Sequence, residues 1–269
     1  MKRLKKKQIL KIKNLAKSGL SLRKISKSLG IPKSTVYHHA KKYLRKMSKP
    51  DLNKLSDWER GYIVGLFAGD GCLNFIQRNY SYGIRFFFNR KEDQNIIHLL
   101  GTLIKKSGSK FHTVQKKRNT MELRVTAKKL FNFIKSHVAY KKGKERKSTR
   151  KKLVNPKIWN VKFKLGFIAG FIDSDGYVRM DKGKYIRCCI STTSKDMAFQ
   201  TLSLLKELNI NSSCHTDKRK VKRRNDLYII RIFSLDFISN FNKIKSVKGR
   251  ASGEMVSRRL RKSFEIVEG

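Results

Sequence analysis

Two apolar segments of the chain carry small residues at the same spacing and end in the same way. They span 56–71 and 160–176, and each ends in an aspartate followed by a glycine. Their small residues recur every four positions, as Gly61, Gly65 and Gly69 in the first segment and as Gly166, Gly170 and Ser174 in the second. This spacing aligns residues in one stripe along a helix, and stripes of small residues let two helix backbones approach closely. The pattern therefore predicts two helices in close contact, with Gly65, Gly69, Gly170 and Ser174 at their interface.

The acidic residues at the ends of these helices are Asp70 and Asp175. If the helices pack in parallel along the stripes, the two carboxylates lie side by side at one end of the interface. Adjacent carboxylates stay ionised at low cost only when a cation lies between them, and carboxylate oxygens are typical Mg²⁺ ligands. The two aspartates are therefore the predicted metal ligands, with Mg²⁺ or another divalent cation as the expected cofactor.

Matching segments follow each of the two helices. A strand of alternating polarity covers 84–89 after the first helix, and a similar strand covers 186–191 after the second. Each is followed by a helical pattern, by a basic hairpin over 110–126 or 213–234, and by another helix. The order αββαββα thus occurs twice, which predicts an α+β fold made of two such repeats with pseudo-twofold symmetry.

The N-terminal segment has a different pattern. Apolar residues at helical spacing predict three short helices within 6–43, with Gly19 ending the first helix and Gly30 making the turn after the second. Ser26, Gly30 and Val36 have the spacing of a helix-turn-helix, in which two helices meet at a tight corner. The third helix would then present its leading face to DNA. The candidate contact residues on that face are Lys33, Ser34, Thr35 and His38.

The net charge restricts the choice of partner. The chain carries a formal charge of +46 at pH 7, and such a surplus repels itself unless a polyanion neutralises it. Basic residues also recur at strand spacing in the predicted hairpins, as expected for a surface that binds nucleic acid. We therefore expect a polyanionic partner, and a nucleic acid is the polyanion that such a surface fits.

Cysteine usage and hydropathy bear on location. The four cysteines, Cys72, Cys188, Cys189 and Cys214, form neither a CxxC pair nor the spacing of a zinc site. Lysines interrupt the apolar positions near the N-terminus, and no long apolar run occurs elsewhere. We expect an intracellular protein of the cytoplasm, nucleoid or an organelle matrix, with no contact with a membrane.

Composition divides the chain into four parts. Residues 1–46 form the predicted helix-turn-helix domain, and 47–54, which contain Pro50 and little apolar material, form a linker. The first repeat is then expected to occupy 55–152, and the second is expected to occupy 153–269.

The segments 63–71 and 168–176 resemble the two signature helices of the LAGLIDADG homing endonucleases. The resemblance covers all of the chain that follows the linker, and it includes the αββαββα order and the basic strands. Ala68 departs from the motif at its sixth position, which Asp173 keeps. The departure does not affect Asp70 and Asp175, which occupy the eighth position, where the family binds metal.

The resemblance implies a function as well as a fold. It implies a monomeric, site-specific endonuclease that serves intron homing, with two sheets forming a saddle over the DNA major groove. The implied partner is double-stranded DNA, with intron RNA as the alternative. Asp70 and Asp175 would bind divalent metal at the scissile phosphates, where a metal-activated water attacks phosphorus, and cleavage of both strands would leave 3′ overhangs. The family places a basic residue near the metal after the last helix of each repeat. Similar sequences after these helices make Lys142 and Lys248 the candidates.

Sequence readout is expected from the polar faces of the strands. Alternation along each strand assigns these faces. The expected base and backbone contacts are Asn74, Gln77, Arg85, Asn89, Gln115 and Arg124 in the first repeat and Arg179, Arg187, Lys218 and Arg231 in the second.

Two other functions fit the same scaffold, an RNA-binding intron maturase and a DNA-binding regulator that does not cleave. The intact Asp70 and Asp175 argue against a protein that only binds. Basic strands alone do not distinguish RNA from DNA, so the maturase stays open. A faint likeness of Gly61-Tyr62-Ile63 to the GIY-YIG nucleases carries little weight, because these residues lie at the start of an apolar helix.

Overall fold

The computed structural model describes residues 4–43, 50–77, 80–143, 147–181, 185–218 and 225–248. Its contacts divide the chain into two compact units, 1–49 and 50–269. The first unit is helical, and the second contains both repeats. Among the described residues, no helix is long and apolar enough to cross a membrane.

The N-terminal unit consists of α1 (Lys6–Lys17), α2 (Leu22–Leu29) and α3 (Lys33–Ala40). Ser21 caps α2 by accepting a hydrogen bond from the Lys24 amide, and Gly30 ends it in the left-handed conformation at φ 61°. Across the turn that follows, the Ser26 hydroxyl donates to the Ile31 carbonyl at 2.7 Å. The core of the unit is small and apolar: Ile12, Ala16, Ile25, Ile31, Val36 and Ala40.

The second unit contains the αββαββα order twice, as predicted. The first repeat comprises α4 (Asp57–Asp70), β1 (Gly71–Ile76), β2 (Ser81–Asn89), α5 (Gln94–Lys106), β3 (Phe111–Gln115), β4 (Thr120–Thr126) and α6 (Lys128–His137). The short strands β5 (Val138–Tyr140) and β6 (Lys151–Leu153) then pair with each other. The second repeat comprises α7 (Val161–Asp175), β7 (Gly176–Asp181), β8 (Tyr185–Thr192), α8 (Lys195–Glu207), β9 (Ser212–Asp217), β10 (Leu227–Ile232) and α9 (Ser234–Ile244).

Each repeat forms an antiparallel sheet of four strands with the same topology. The strand orders are β1-β2-β4-β3 and β7-β8-β10-β9. Burial alternates along β2, where Ile84, Phe86 and Phe88 are buried and the residues between them are more exposed. One face of each sheet therefore joins the apolar core under the helices, and the opposite face is left for polar side chains.

The helices α4 and α7 pack backbone to backbone along their glycine stripes. Gly61 faces the Phe163 carbonyl, and Gly65 faces that of Phe167. From the other side, Gly170 faces the carbonyl of Tyr62. A Cβ atom at any of these glycines would overlap the facing carbonyl oxygen, so the stripe of small residues is a steric requirement of this packing.

The register of the strands corrects one detail of the sequence comparison. Gly71 pairs with Phe86 in the first sheet, whereas Gly176 pairs with Ile190 in the second, so Phe86 corresponds to Ile190. The expected alignment of 84–89 with 186–191 is therefore wrong by two residues. Because side chains alternate with a period of two, the shift leaves each residue on its expected face, and alternation alone does not reveal it.

Replacing Gly65 by alanine tests the backbone contact. Alanine in a helix is ordinarily more stable than glycine by about 1 kcal/mol. Here the added Cβ would lie 2.8 Å from the Phe171 amide nitrogen and closer still to the Phe167 carbonyl oxygen. We expect Gly65→Ala to lower the free energy of unfolding by about 3 kcal/mol, as overpacking does, in chemical denaturation.

Gly101→Ala in α5 is the matched control. The three atoms nearest to its Cβ would all belong to the ring of the half-buried Phe111, and the closest of them, at 2.8 Å, can move aside because it ends a side chain. Equal effects of the two substitutions, or a stabilisation by Gly65→Ala, would show that α4 and α7 do not meet along the stripe.

Candidate active site

The ends of α4 and α7 bring Asp70 and Asp175 together. A Cβ at Gly69 would lie 3.0 Å from the Asp175 carboxyl carbon, so the absence of a side chain at Gly69 makes room for that carboxylate. Ser174 fills the space beside it and donates its hydroxyl to the Gly170 carbonyl at 3.0 Å. The close approach of the helices thus ends in a pair of acidic groups, one from each repeat.

Burial and mutual repulsion disfavour ionisation of this pair. Burial, followed by the negative charge of Asp175, raises the pKa of Asp70 to about 7. Burial also raises the pKa of Asp175 to about 6, although the positive charges of Lys151 and Lys248 oppose the shift. Both lysines act on Asp70 in the same direction. Two carboxylates that are costly to ionise, and that two cations already stabilise, form a site that favours further positive charge.

Lys151 lies on one side of the pair and is nearly buried, with 9% of its surface exposed. Its ammonium donates to the carbonyls of Ala68 at 2.7 Å and Gly69 at 2.9 Å, at the end of α4. Burial lowers the pKa of Lys151, whereas the charges of Asp175 and Asp70 raise it. Lys151 is therefore a buried cation whose charged partners are the two site aspartates.

Lys248 occupies the equivalent place at the end of α7. Its ammonium donates to the carbonyls of Ser174 at 3.2 Å and Gly176 at 3.0 Å. Lys151 also contacts the carbonyl of Gly71, at 3.4 Å. Because Gly71 and Gly176 follow the two motif aspartates, Lys151 and Lys248 are related by the pseudo-twofold symmetry of the repeats.

The sequence comparison selected Lys142 for the position that Lys151 occupies. Lys142 is exposed and lies two residues past the end of β5, whereas Lys151 begins β6 after the chain turns back. Counting residues from the end of the last helix of each repeat leads to Lys142. The count fails because more residues separate α6 from Lys151 than separate α9 from Lys248. The sequence does contain a signal for Lys151. The apolar residues Leu153 and Val154 follow it closely, which indicates a segment that packs against the core.

The sixth motif position explains why the two paths differ. Asp173 is buried and accepts hydrogen bonds from the Ser246 hydroxyl at 2.6 Å, the Val247 amide at 2.8 Å and the Lys248 amide at 2.9 Å. It also accepts one from the Tyr62 hydroxyl at 2.8 Å. These bonds hold the segment directly after α9 against α7. Ala68, at the same position of the first motif, has no side-chain acceptor. The segment after α6 is therefore not held in this way, and it forms β5 and β6 instead.

Residues of the second repeat hold Lys151 in place. The Ser194 hydroxyl donates to the Lys151 carbonyl at 2.5 Å. The side chain of Gln200 accepts from the Leu153 amide at 2.7 Å and donates to the Leu153 carbonyl at 3.1 Å. The lysine beside the first motif is thus positioned by α8 and the loop before it, which belong to the second repeat.

The donor set suits a hard divalent cation. Among the described residues, no cluster of three or more His, Cys, Asp or Glu side chains is present, so the protein offers two carboxylates and nearby carbonyls. Mg²⁺ is usually held by one or two carboxylates, with waters and phosphate oxygens completing its coordination. Asp70 and Asp175 would hold such an ion together with oxygens of a bound phosphate.

The strand faces carry most of the predicted contact residues of the first repeat. Arg85 and Arg124 lie directly opposite each other on β2 and β4, and Asn74 on β1 shares their outer face. Asn89 is exposed at the end of β2 on the same face, and Gln77 is exposed just past β1.

Gln115 departs from the expectation. It pairs with Met121 and therefore shares the face of Leu123, which packs into the core. His112, which pairs with Arg124, lies on the outer face instead. The apolar residues of β3, Phe111 and Val114, lie three positions apart and therefore on opposite faces, so alternation along this strand does not decide which face Gln115 takes.

The second sheet has its own basic face. Arg179 and Arg187 pair on β7 and β8, and Arg231 on β10 lies opposite Cys189. Arg179 and Arg231 are exposed, Arg187 is half-buried, and Lys218 is exposed just past β9. The four predicted contact residues of this repeat therefore lie on or beside one sheet.

In the N-terminal unit, Lys33, Ser34 and His38 are exposed on α3, whereas Thr35 is half-buried. Tyr37, which the sequence pattern does not assign to either face, is also exposed. The outer surface of α3 thus combines basic, hydroxyl and aromatic groups.

Comparisons with known proteins identify the fold. A family model described as a LAGLIDADG-like domain matches residues 162–245. A Methanocaldococcus jannaschii protein, MJ0398, is 24% identical over 280 residues, which cover 96% of this chain and 93% of that protein. The crystal structure of I-DmoI in complex with DNA and Ca superposes with a TM-score of 0.51 at 22% identity, covering 70% of this chain and 89% of that chain.

Full-length DUF199/WhiA from Thermatoga maritima also superposes, with a TM-score of 0.51 at 14% identity. That superposition covers 79% of this chain and 66% of that chain. At these identities, the structural matches show that the fold is shared.

The raised pKa of Asp70 predicts how stability depends on pH without divalent cations. The folded-state pKa of Asp70, about 7, lies above the ordinary aspartate value of 3.8, so this carboxyl stabilises the fold when protonated. Its contribution is complete below about pH 4 and is lost as pH rises through about 7. Asp70→Asn removes this loss, and we expect the variant to gain on the order of a few kcal/mol relative to the parent between pH 5 and pH 8.

The measurement is chemical denaturation in a chelating buffer at the two pH values. Asp226→Asn, at an exposed position before β10, is the control and should show no such gain. An unchanged difference between Asp70→Asn and the parent across this range would contradict the burial of the acidic pair.

Proposed function

We propose, from the two-motif LAGLIDADG fold of this chain, that the protein is a site-specific endonuclease that cleaves both strands of duplex DNA and leaves 3′ overhangs. The observation that carries the proposal is the pairing of Asp70 and Asp175, with Lys151 and Lys248 placed symmetrically beside them. A scaffold that only binds DNA has no need to bury two carboxylates against each other. Homing of an intron is the process we infer that such a cleavage serves.

Asp70 and Asp175 are the proposed ligands of a divalent cation. When bound there, Mg²⁺ would polarise phosphate oxygens and lower the pKa of a bound water. The two carboxylates would hold the cation from opposite repeats, beside the phosphates of the two strands. The lysines and the cation together would offset the negative charge of the carboxylates, so that a phosphate could approach.

Lys151 and Lys248 are the proposed basic residues of the reaction, with Lys151 in the role that the sequence suggested for Lys142. Each is fixed by carbonyl oxygens at the end of a motif helix. Lys248 donates to two carbonyls and has one hydrogen left for a phosphate oxygen or the attacking water. Lys151 can make the same contact by exchanging its long bond to the Gly71 carbonyl, at 3.4 Å, for one to the phosphate or the water. A cation fixed before the reaction stabilises negative charge as it develops on the phosphate, without further reorganisation.

The outer faces of the two sheets are the proposed duplex-binding surface. Strand ribbons of this kind fit the major groove, where base edges are distinguishable. The candidate contacts are Asn74, Gln77, Arg85, Asn89, His112, Arg124, Arg179, Arg187, Lys218 and Arg231, with Gln115 now on the opposite face. Basic groups here neutralise phosphates, which accounts for part of the charge of the chain.

The N-terminal unit is proposed as a second DNA-binding module of the helix-turn-helix type. Its support is the turn at Gly30 together with the exposed Lys33, Ser34 and His38 on α3. A module tethered to the cleaving unit binds at a raised effective concentration, so it adds affinity without taking part in the reaction.

Substituting the two aspartates tests the assignment. We expect Asp70→Asn and Asp175→Asn each to abolish double-strand cleavage of a randomised duplex library in Mg²⁺. Duplex binding should stay within a few-fold of the parent, because the aspartates do not lie on the sheet faces. Sequencing of the cut ends reports cleavage, and filter binding reports affinity.

Full cleavage by either variant would overturn the metal assignment. A parent that binds the library without cutting it would support the non-cleaving regulator. Preferential binding of structured RNA over duplex DNA would support the maturase.

Comparison of Lys151 with Lys142 tests the role of the buried lysine. We expect Lys151→Met to slow cleavage of one strand about 100-fold, since loss of one fixed donor to a developing oxyanion has an effect of this size. Lys248→Met should slow the other strand, and Lys142→Met should slow neither. Strand-resolved cleavage of a labelled duplex measures all three, and equal slowing by Lys142→Met and Lys151→Met would contradict the assignment.

Lys33→Ala in the full chain tests the N-terminal module. If Lys33 contacts a phosphate, the slope of log affinity against log salt should become shallower by about 0.9, while the cut positions stay the same. Lys7→Ala on α1, which removes an equal charge, is the control and should leave the slope unchanged. A displaced cut site, or equal slopes for Lys33→Ala and the parent, would contradict the proposal.

A further inference from the structure

An acidic residue lies in the middle of the basic outer face of the first sheet. Glu122 on β4 pairs with Phe87 on β2 and with Val114 on β3, and it shares the outer face with Arg124. Although it lies on the outward side, only 1% of its surface is exposed, because basic side chains cover it.

Three basic groups surround the Glu122 carboxylate. Arg124 donates to it twice, from Nε to Oε1 and from Nη2 to Oε2, both at 2.8 Å. Arg85 Nε and Lys116 Nζ each lie 3.4 Å from its oxygens. Hydrogen bonding from Arg124 lowers the pKa of Glu122, which keeps the carboxylate ionised.

The two hydrogen bonds to Glu122 determine which edge of the Arg124 guanidinium remains free. A guanidinium has five N–H donors in a fixed plane. With Nε and one hydrogen of Nη2 committed to Glu122, the terminal edge formed by Nη1 and the second hydrogen of Nη2 stays available. This edge has the spacing that matches the O6 and N7 acceptors of guanine in the major groove.

The second sheet has no such arrangement at the equivalent position. Arg231 corresponds to Arg124, since each pairs with the middle strand opposite Cys189 or Arg85. Two residues before Arg231 lies Ile229, where the first sheet has Glu122. The outer faces of the two repeats therefore present their arginines differently, although their folds match.

The negative charge of Glu122 opposes binding to phosphates. A carboxylate on a duplex-binding surface weakens the attraction that basic groups provide, and that attraction carries no sequence information. Its benefit has to come from orientation, because an arginine fixed in one plane loses less entropy when it binds a base edge.

We propose that Glu122 is a positioning residue for sequence readout, which holds Arg124 with its terminal edge toward a guanine of the target. The inference rests on the proposed function only in taking duplex DNA as the ligand, and it is independent of cleavage. Arg85 and Lys116 complete the enclosure of the carboxylate and keep it from facing the phosphates.

The experiment is binding selection from a randomised duplex library with the full chain in Ca²⁺. The variants are Glu122→Gln, Arg124→Lys and, as a control for charge, Glu92→Gln at an exposed position between β2 and α5. The parent and Glu92→Gln should select a site with guanine at one position in the first half. Arg124→Lys and Glu122→Gln should lose about tenfold of the preference for that guanine.

Glu122→Gln should bind unselected duplex at least as tightly as the parent, because it removes a negative charge from the binding face. A residue that only supports folding would instead lower the affinity for every sequence and the melting temperature together. If Glu122→Gln fails to fold, Arg124→Lys with Glu122 intact still reports the guanine preference.

Retention of the full guanine preference by Glu122→Gln would overturn the proposal, as would a loss of binding to all sequences by a folded variant. Retention of the preference by Arg124→Lys would also overturn it. Failure of the parent to bind any duplex would count against the proposed function, and it would overturn the present inference with it, whereas duplex binding without cleavage would leave only the inference standing.

Discussion

The backbones of α4 and α7 are in direct contact, and both the shared core and the position of the acidic pair follow from this contact. Glycines at Gly61, Gly65 and Gly170 let carbonyl groups of one helix lie against the other. Because the two helices belong to different repeats, this contact joins the two sheets through one core. It also brings the helix ends together, so the same steric rule that builds the interface places the acidic pair.

The parts of this architecture that follow periodic rules were predictable from the sequence. The four-residue spacing of glycines, the aspartate after each stripe and the alternation along β2 each correspond to a repeating geometry. The capping pair of Ser56 and Glu59 likewise marks the start of α4, where the Ser56 hydroxyl accepts from the Glu59 amide. Local rules of this kind hold whatever the rest of the chain does.

Features that depend on contacts between distant segments were not predictable. Lys151 reaches the site because Ser194 and Gln200 of the second repeat hold the strand that carries it, and no local pattern records that contact. Strand pairing decides both the two-residue shift between the sheets and the face of Gln115. Alternation does not detect a shift of two residues, and along β3 it is ambiguous. The environment of Glu122 was not predictable for a similar reason. Its three basic partners come from β2, from the turn after β3 and from β4, which only the folded sheet brings together.

Under the proposed function, the two motif helices hold a divalent cation between Asp70 and Asp175 at the phosphates of bound DNA. Anomalous diffraction at the manganese edge, from crystals of the full chain with a selected duplex and Mn²⁺, tests it most directly. We expect an anomalous peak within about 2.0–2.4 Å of oxygens from both carboxylates, the range of hard-cation ligands, with Lys151 and Lys248 on either side. A duplex bound across both sheets with no peak at the aspartates, or with manganese held elsewhere, would contradict it.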